Sequence, residues 1–245
     1  MKNEFKWFII LLGFTYYMYY LISSKKLYLF IHPKMTAYII FAFVIFFILI
    51  IFQLKKLFTK KNHSSLKAAS SIFFVPLILA YIINPQGLNS NIAEKKGITE
   101  LSSIESTSGA SKSKSDYIKL NDENFSDMTT EITNNIIKYK GKNIELSGFI
   151  YKDTSFPKNH FVIARMLIVC CAADAEVIGL TCYTDTFTDL KENDWVTIKG
   201  TISSMKNFDK EDTSQNIIPV INVKSVHSIQ KPSNPYIYLK KDLSK

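Results

Sequence analysis

IELSGFIY, residues 144–151, alternates: Ile144, Leu146, Gly148 and Ile150 share one parity, and Glu145, Ser147, Phe149 and Tyr151 the other. Successive side chains of a strand point to opposite faces, so this pattern predicts a strand with one buried face. Just upstream the period changes. Phe125, Met128, Ile132, Ile136 and Ile137 recur at helical spacing behind the polar residues Asn121, Asp122 and Asn124, which predicts one amphipathic helix over 125–139. Gly141 separates that helix from the strand.

Downstream, strand-like runs follow at 161–169, 177–183, 195–203 and 217–229. Gly148, Gly179 and Gly200 fall inside the runs, where glycine marks a bulge or the tight bend of a small barrel. Five short strands in about 100 residues predict a small closed β-barrel of OB-like type, preceded by one amphipathic helix. Such a fold does not by itself name a function. Trp195, in WVTIKG, is expected to pack inside the barrel.

Further upstream the chain changes solvent. Residues 84–116 are rich in Ser, Lys, Glu and Gly without hydrophobic periodicity, the composition of a flexible tether. Before it, residues 7–83 are mostly Ile, Leu, Phe, Tyr and Val. A helix crossing the hydrocarbon needs about 20 residues. Residues 35–54 meet that need, residues 7–22 are expected to span with Tyr16, Tyr17, Tyr19 and Tyr20 as interfacial aromatics, and 68–83, where Pro76 is expected to kink the helix, are expected to supply a third span. No small-residue cleavage site follows Ile22, so the first run is expected to stay as an anchor rather than leave as a signal peptide. The fold class is therefore α + β, with an anchor at 1–83, a linker at 84–116 and a soluble β domain at 117–245.

The formal charge of +9 invites a nucleic-acid reading, but its placement does not support one. Residues 55–67 hold five lysines and no acid, against three lysines in 23–34, and Lys2 and Lys6 precede the first span. Positive charge gathers on the cytoplasmic side of membrane helices, so the N-terminus is expected inside and, after three spans, the β domain outside. The expectation is a multi-pass protein of the cell membrane, in contact with the bilayer and not with nucleic acid.

One stretch, RMLIVCCAADA at 165–175, holds the residues able to carry chemistry. Thiolates beside a carboxylate bind Zn2+ or a related soft or borderline cation, which makes Cys170, Cys171 and Asp174 candidate ligands. Cys182 or His160 would complete a set of four. Adjacent strand residues face opposite ways, so Cys170 and Cys171 share one ion only if the chain turns between them; Ala172 and Ala173 make a turn sterically easy. Two other readings use the same atoms: a disulfide from Cys170 or Cys171 to Cys182 in an oxidising exterior, or cysteines serving as small apolar filler in the barrel. Arg165 is expected to point outward into solvent, or to pair with Asp174 or Glu176. The histidines are dispersed and no nucleophile can be matched with a base, so no enzymatic activity is expected.

At GFIY (148–151), FPKNHFVIAR (156–165), CCAADA (170–175), WVTIKG (195–200) and NPYIY (234–238), the sequence resembles the YcgQ-like family of Firmicute membrane proteins, over nearly the whole chain. The resemblance implies N-terminal membrane helices with a C-terminal domain, a role as a permease subunit, and a polytopic permease of the YcgR-like type as partner. Some members of that family occur in zinc-responsive gene contexts. Cys170, Cys171 and Asp174 fall on the family's CC-x-A-D-A element, and Arg165 on the arginine that precedes it. The expected function is thus a non-enzymatic accessory subunit whose external domain binds or hands over a substrate, with Zn2+ as the candidate. The alternative is a thiol-redox or envelope-ligand-binding module acting without a permease.

Overall fold

The computed structural model describes residues 2–58, 72–82, 117–186, 189–208 and 216–239. The chain divides into two compact units, Met1–Gly87 and Leu88–Lys245. The predicted linker at 84–116 lies outside the described residues.

In the first unit, α1 (Lys2–Ser23) and α2 (Thr36–Phe58) are built from apolar runs whose only glycine is Gly13. At 1.5 Å per residue they extend about 33 Å and 35 Å, enough for a hydrocarbon layer of about 30 Å. Phe5–Ser23 and Pro33–Lys55 are long and apolar enough to cross a membrane. Phe41, Phe47 and Phe52 of α2 are exposed, as suits a helix whose surroundings are apolar. Two short 3-10 turns, Lys26–Leu29 and Pro33–Met35, join the helices, and His32 Nδ1 accepts the Lys34 N–H at 3.0 Å.

The third apolar run, 68–83, is described only in part. Its described helix, α3 (Phe74–Ile82), has nine residues and extends about 14 Å, half of what a span needs. Residues 68–71 and Ile83 lie outside the described residues. Pro76 stands in the first turn of this helix, where an N–H has no intrahelical acceptor to lose. α3 packs on α1 through Trp7 with Phe73 (5.7 Å between ring centroids) and Tyr17 with Tyr81 (5.6 Å), while Leu77 lies against Gly13.

The second unit holds β1 (Tyr117–Lys119), α4 (Phe125–Asn134), α5 (Ile136–Tyr139), β2 (Asn143–Tyr151), β3 (His160–Ile168), β4 (Glu176–Tyr183), β5 (Trp195–Lys206), β6 (Ile217–Ser228) and β7 (Tyr236–Tyr238). Five strands close a barrel in the order β2-β5-β6-β4-β3, with β3 returning to β2. All pairs in the ring are antiparallel except β4 with β6. The closing seam is short, running only from Phe149↔Ala164 to Tyr151↔Val162. Beyond it the strands part: β3 takes β7 as a parallel neighbour and β2 takes β1. Gly148 and Gly179 flank this crowded part of β3. A Cβ at either would collide with the carbonyl oxygens of Ala164 or Ile163, so the bend of the wall needs glycine there. Gly200 sits at a register shift between β5 and β6, a bulge as its place in the run predicted.

Ile144, Leu146, Ile150, Ile163, Leu167, Ile178, Leu180 and Ile198 fill the barrel, and Phe125 and Ile132 of α4 close on the same cluster. The predicted single helix is two. Asn135, at φ −127° and ψ 47°, leaves the helical region, and the chain reorients so that Tyr139 is buried while Ile137 is 94% exposed. β1 and β7 were not anticipated, because three-residue strands are too short for a period to show, whereas the short turn at Ala172–Asp174 falls where Ala172 and Ala173 had made one easy.

Candidate functional site

The cysteine pair lies in the β3–β4 connection. Pairing of the two strands ends at Leu167↔Glu176, and between them the chain bends at Val169 and Cys170 and makes one 3-10 turn, Ala172–Asp174. The turn is organised by a single carboxylate. Asp174 accepts the backbone N–H of Cys170 at 2.7 Å, of Val169 at 3.2 Å and of Cys171 at 3.3 Å, and its own N–H donates to the Cys171 carbonyl at 3.1 Å. Asp174 thereby satisfies the donors that β3 loses when its ladder stops.

This turn removes the objection that neighbouring strand residues diverge. The Cys170 and Cys171 sulfurs stand 3.7 Å apart, and one ligand atom from each of Cys170, Cys171 and Asp174 lies within 4.8 Å of the others. Two sulfurs at about 2.3 Å from a tetrahedral zinc are about 3.8 Å apart, so the thiol spacing suits one shared ion. Cys170 is exposed and Cys171 half-buried. The hydrogen bond to Asp174, and then that to Cys171, push the Cys170 thiol up to about 12. Burial opposes ionisation of Asp174, but hydrogen bonds from the Cys170 thiol and from the backbone N–H groups of Cys170, Cys171 and Val169 prevail and hold its carboxyl below the usual range. A protonated thiol is a poor nucleophile, whereas a bound cation displaces the proton and uses the same sulfur.

Cys182 is not part of this group. It lies in β4 opposite Phe161, at the far end of β3, fully buried with its sulfur 3.4 Å from the Leu180 carbonyl oxygen. Burial pushes its thiol up. Nine residue steps along β3 and its extension separate Phe161 from Cys170, about 30 Å of extended strand, so Cys182 neither completes the ligand set nor forms a disulfide with the pair. All three thiols are free. His160 belongs to that distant end too, beside the Tyr183 ring at 5.0 Å.

Arg165 overturns the outward expectation. It shares the parity of Phe161, Ile163 and Leu167, points inward with them, and is 3% exposed. Its partner is neither Asp174 nor Glu176. Nη2 stands 2.7 Å from Oδ1 of Asp122, in the turn before α4. The guanidinium carbon lies 5.2 Å from the Trp195 ring centre and 5.9 Å from that of Phe125, and Nη1 reaches the Ser147 carbonyl oxygen at 3.5 Å. The approach of Asp122 is too bent for a hydrogen bond, which leaves Nε and Nη2 without an acceptor among the described residues. Asp122 entered the sequence reading only as a helix starter. The signal for its role was Arg165 itself, a charge on the apolar parity of its strand.

Comparison with known proteins covers both units. The DUF1980 N-terminal domain matches residues 7–99 and the DUF1980 C-terminal domain residues 99–239, which include Arg165 and the cysteine turn. The "UPF0703 protein YcgQ" of Bacillus subtilis is 32% identical over 121 residues, 49% of this chain and 41% of that protein, so this match spans about two-fifths of the Bacillus protein. A Streptococcus mutans protein named "Putative two-component membrane permease complex subunit" is 28% identical over 274 aligned positions, covering 94% of this chain and 98% of that protein.

Proposed function

The chain belongs to the DUF1980 family of YcgQ-like proteins, and from that premise we propose that it is a membrane-anchored accessory subunit of a two-component permease whose β domain captures a thiophilic cation. The observation that carries the cation half is the convergence of Cys170, Cys171 and Asp174 on one exposed hairpin turn. Thiolates select soft or borderline ions such as Zn2+ over Mg2+ or Ca2+, which prefer all-oxygen sites. The permease half draws on the full-length likeness to the Streptococcus mutans protein. A polytopic protein of the YcgR-like type is the proposed partner, and the subunit itself performs no catalysis.

The finer architecture belongs to the same proposal. Numbered within the ring, the strands run first, second, third, fifth, fourth and back to first, with the third and fifth parallel and the closing seam short. That order supports an OB-like, partly open Greek-key barrel. α3, extended by neighbouring residues of the 68–83 run, is proposed as part of a third span, which sets the barrel outside the cell. A thiol-redox role without a permease is the alternative, favoured by two adjacent thiols of which Cys170 is exposed; the raised Cys170 thiol counts against it.

Affinity purification of the tagged chain in mild detergent, with metal analysis, tests both halves. The expected result is one multispanning partner in near-equal amount and one thiol-dependent Zn2+ per chain. A chain that purifies alone from cells containing the partner overturns the first half; a metal-free preparation after Zn2+ loading overturns the second.

A further inference from the structure

We infer that the β3–β4 turn is a transfer site: it grips a thiophilic cation with two thiolates and a carboxylate and leaves the remaining coordination position to a donor from a second molecule. The inference rests on the cation reading above and concerns how the site is completed.

Ligand supply is the first argument. Structural zinc sites are closed by four protein ligands, usually rich in thiolate. The chain has three cysteines in all, and the third is locked in the barrel core at the opposite end of β3. No fourth thiol exists to close the site. Among the described residues, the group contains only Cys170, Cys171 and Asp174.

Preorganisation is the second. Asp174 is already fixed by three backbone N–H donors, so it holds the turn in shape whether or not an ion is bound. Its two oxygens share the Cys171 N–H at 3.3 Å each and also accept the Cys170 thiol, so a cation that displaces the thiol proton takes that position while the three N–H donors keep the cap. A site that keeps its form through loading and unloading suits exchange better than one that folds around its ion.

Access is the third. Val169 is 45% exposed, Cys170 is exposed, and both stand on the hairpin tip, where an incoming donor meets no covering element among the described residues. The chemistry balances without redox. Loading exchanges two thiol protons for the cation and releases them to water. Transfer proceeds by ligand substitution, in which the incoming nitrogen or sulfur donor bonds before Cys170 and Cys171 depart and take up two protons.

The test uses the purified full chain in detergent under reducing conditions, with Co2+ as a spectroscopic stand-in for Zn2+. The expected starting point is a thiolate-to-cobalt charge-transfer band of two-sulfur intensity, absent in Cys170→Ser and in Cys171→Ser. Added imidazole should then shift the ligand-field bands, and an added small monothiol should raise the charge-transfer intensity by half as a third sulfur joins. A two-sulfur spectrum that neither addition alters, even in large molar excess, means a closed site; it overturns the transfer inference and leaves the cation reading standing. Absence of any two-sulfur band overturns both.

Discussion

Arg165 and Asp122 form a pair of unequal burial, with side-chain exposures of 4% and 66%, and that inequality predicts which partner matters more. Removing the carboxylate leaves a guanidinium inside the barrel with no counter-charge, a costly state in a poorly polarisable interior. Asp122→Asn should therefore lower stability by about 1–2 kcal/mol. Arg165→Met removes the charge that needed a partner while keeping apolar bulk between Phe125 and Trp195, and should cost less than Asp122→Asn. In the double variant the effect of Asp122→Asn should vanish. Urea unfolding followed by Trp195 fluorescence checks the cycle; equal losses in both single variants would mean the pair is not the source. The cysteines separate by the same logic of burial. Cys182→Ala should leave Zn2+ stoichiometry unchanged, whereas Cys170→Ser should abolish tight binding, as metal analysis after dialysis will show. Residue types made Cys170, Cys171 and Asp174 legible as candidates in the sequence. Their convergence was not legible, because it depends on three backbone donors folding onto one carboxylate, and neither was the exclusion of Cys182, which depends on strand register.

At the level of elements, β1 is tied to the sheet by its short ladder and by one acid. Glu145 of β2 accepts the Tyr117 hydroxyl proton and pairs with Lys119 at 3.0 Å and with Lys199 of β5 at 3.2 Å. The Tyr117 hydrogen bond first, then Lys119, with a smaller part from Lys199, lower its pKa from 4.5 to about 2. A carboxylate depressed on folding contributes stability that is complete above its unfolded pKa and is lost as pH falls through the folded value. The β domain should therefore lose stability between about pH 4.5 and about pH 2, and Glu145→Gln should remove much of that slope while lowering stability at neutral pH. Acid titration of unfolding midpoints in the two proteins measures this; parallel curves would rule Glu145 out as the source. Glu145 lies on the polar parity of the stretch that revealed β2, yet its side chain is only 14% exposed, because Tyr117, Lys119 and Lys199 close around it. Its tie to β1 could not be anticipated, since Tyr117–Lys119 carries too few residues for a strand period. The five ring strands were legible because each is eight residues or longer and carries an alternating or largely apolar stretch. Asn135 shows the converse: Ile136 and Ile137 continued the helical spacing, but a departure in one residue's dihedrals turned Ile137 into solvent.

For the whole molecule the governing question is the side of the membrane on which the barrel works, and it turns on α3. α1 and α2 each suffice to cross a membrane, and two crossings alone return the chain to the side from which it started. The described part of α3 has half the needed length, so the lysines of residues 55–67 carry the orientation argument. In the proposed topology, with those lysines and the N-terminus inside, a third crossing would place the cysteine turn outside, where the proposed cation would be captured before entry. Ile137 supplies a probe that is not one of the site residues: it is 94% exposed, on α5. In a Cys170→Ser/Cys171→Ser background the remaining thiol, Cys182, is fully buried and silent, so Ile137→Cys offers one accessible sulfur. A membrane-impermeant maleimide applied to intact cells should label this variant as fully as it does after permeabilisation. Labelling only after permeabilisation would put the barrel in the cytoplasm and remove α3 from the spans. The turn would then receive its cation from the reducing side, and capture before entry would give way to delivery for export.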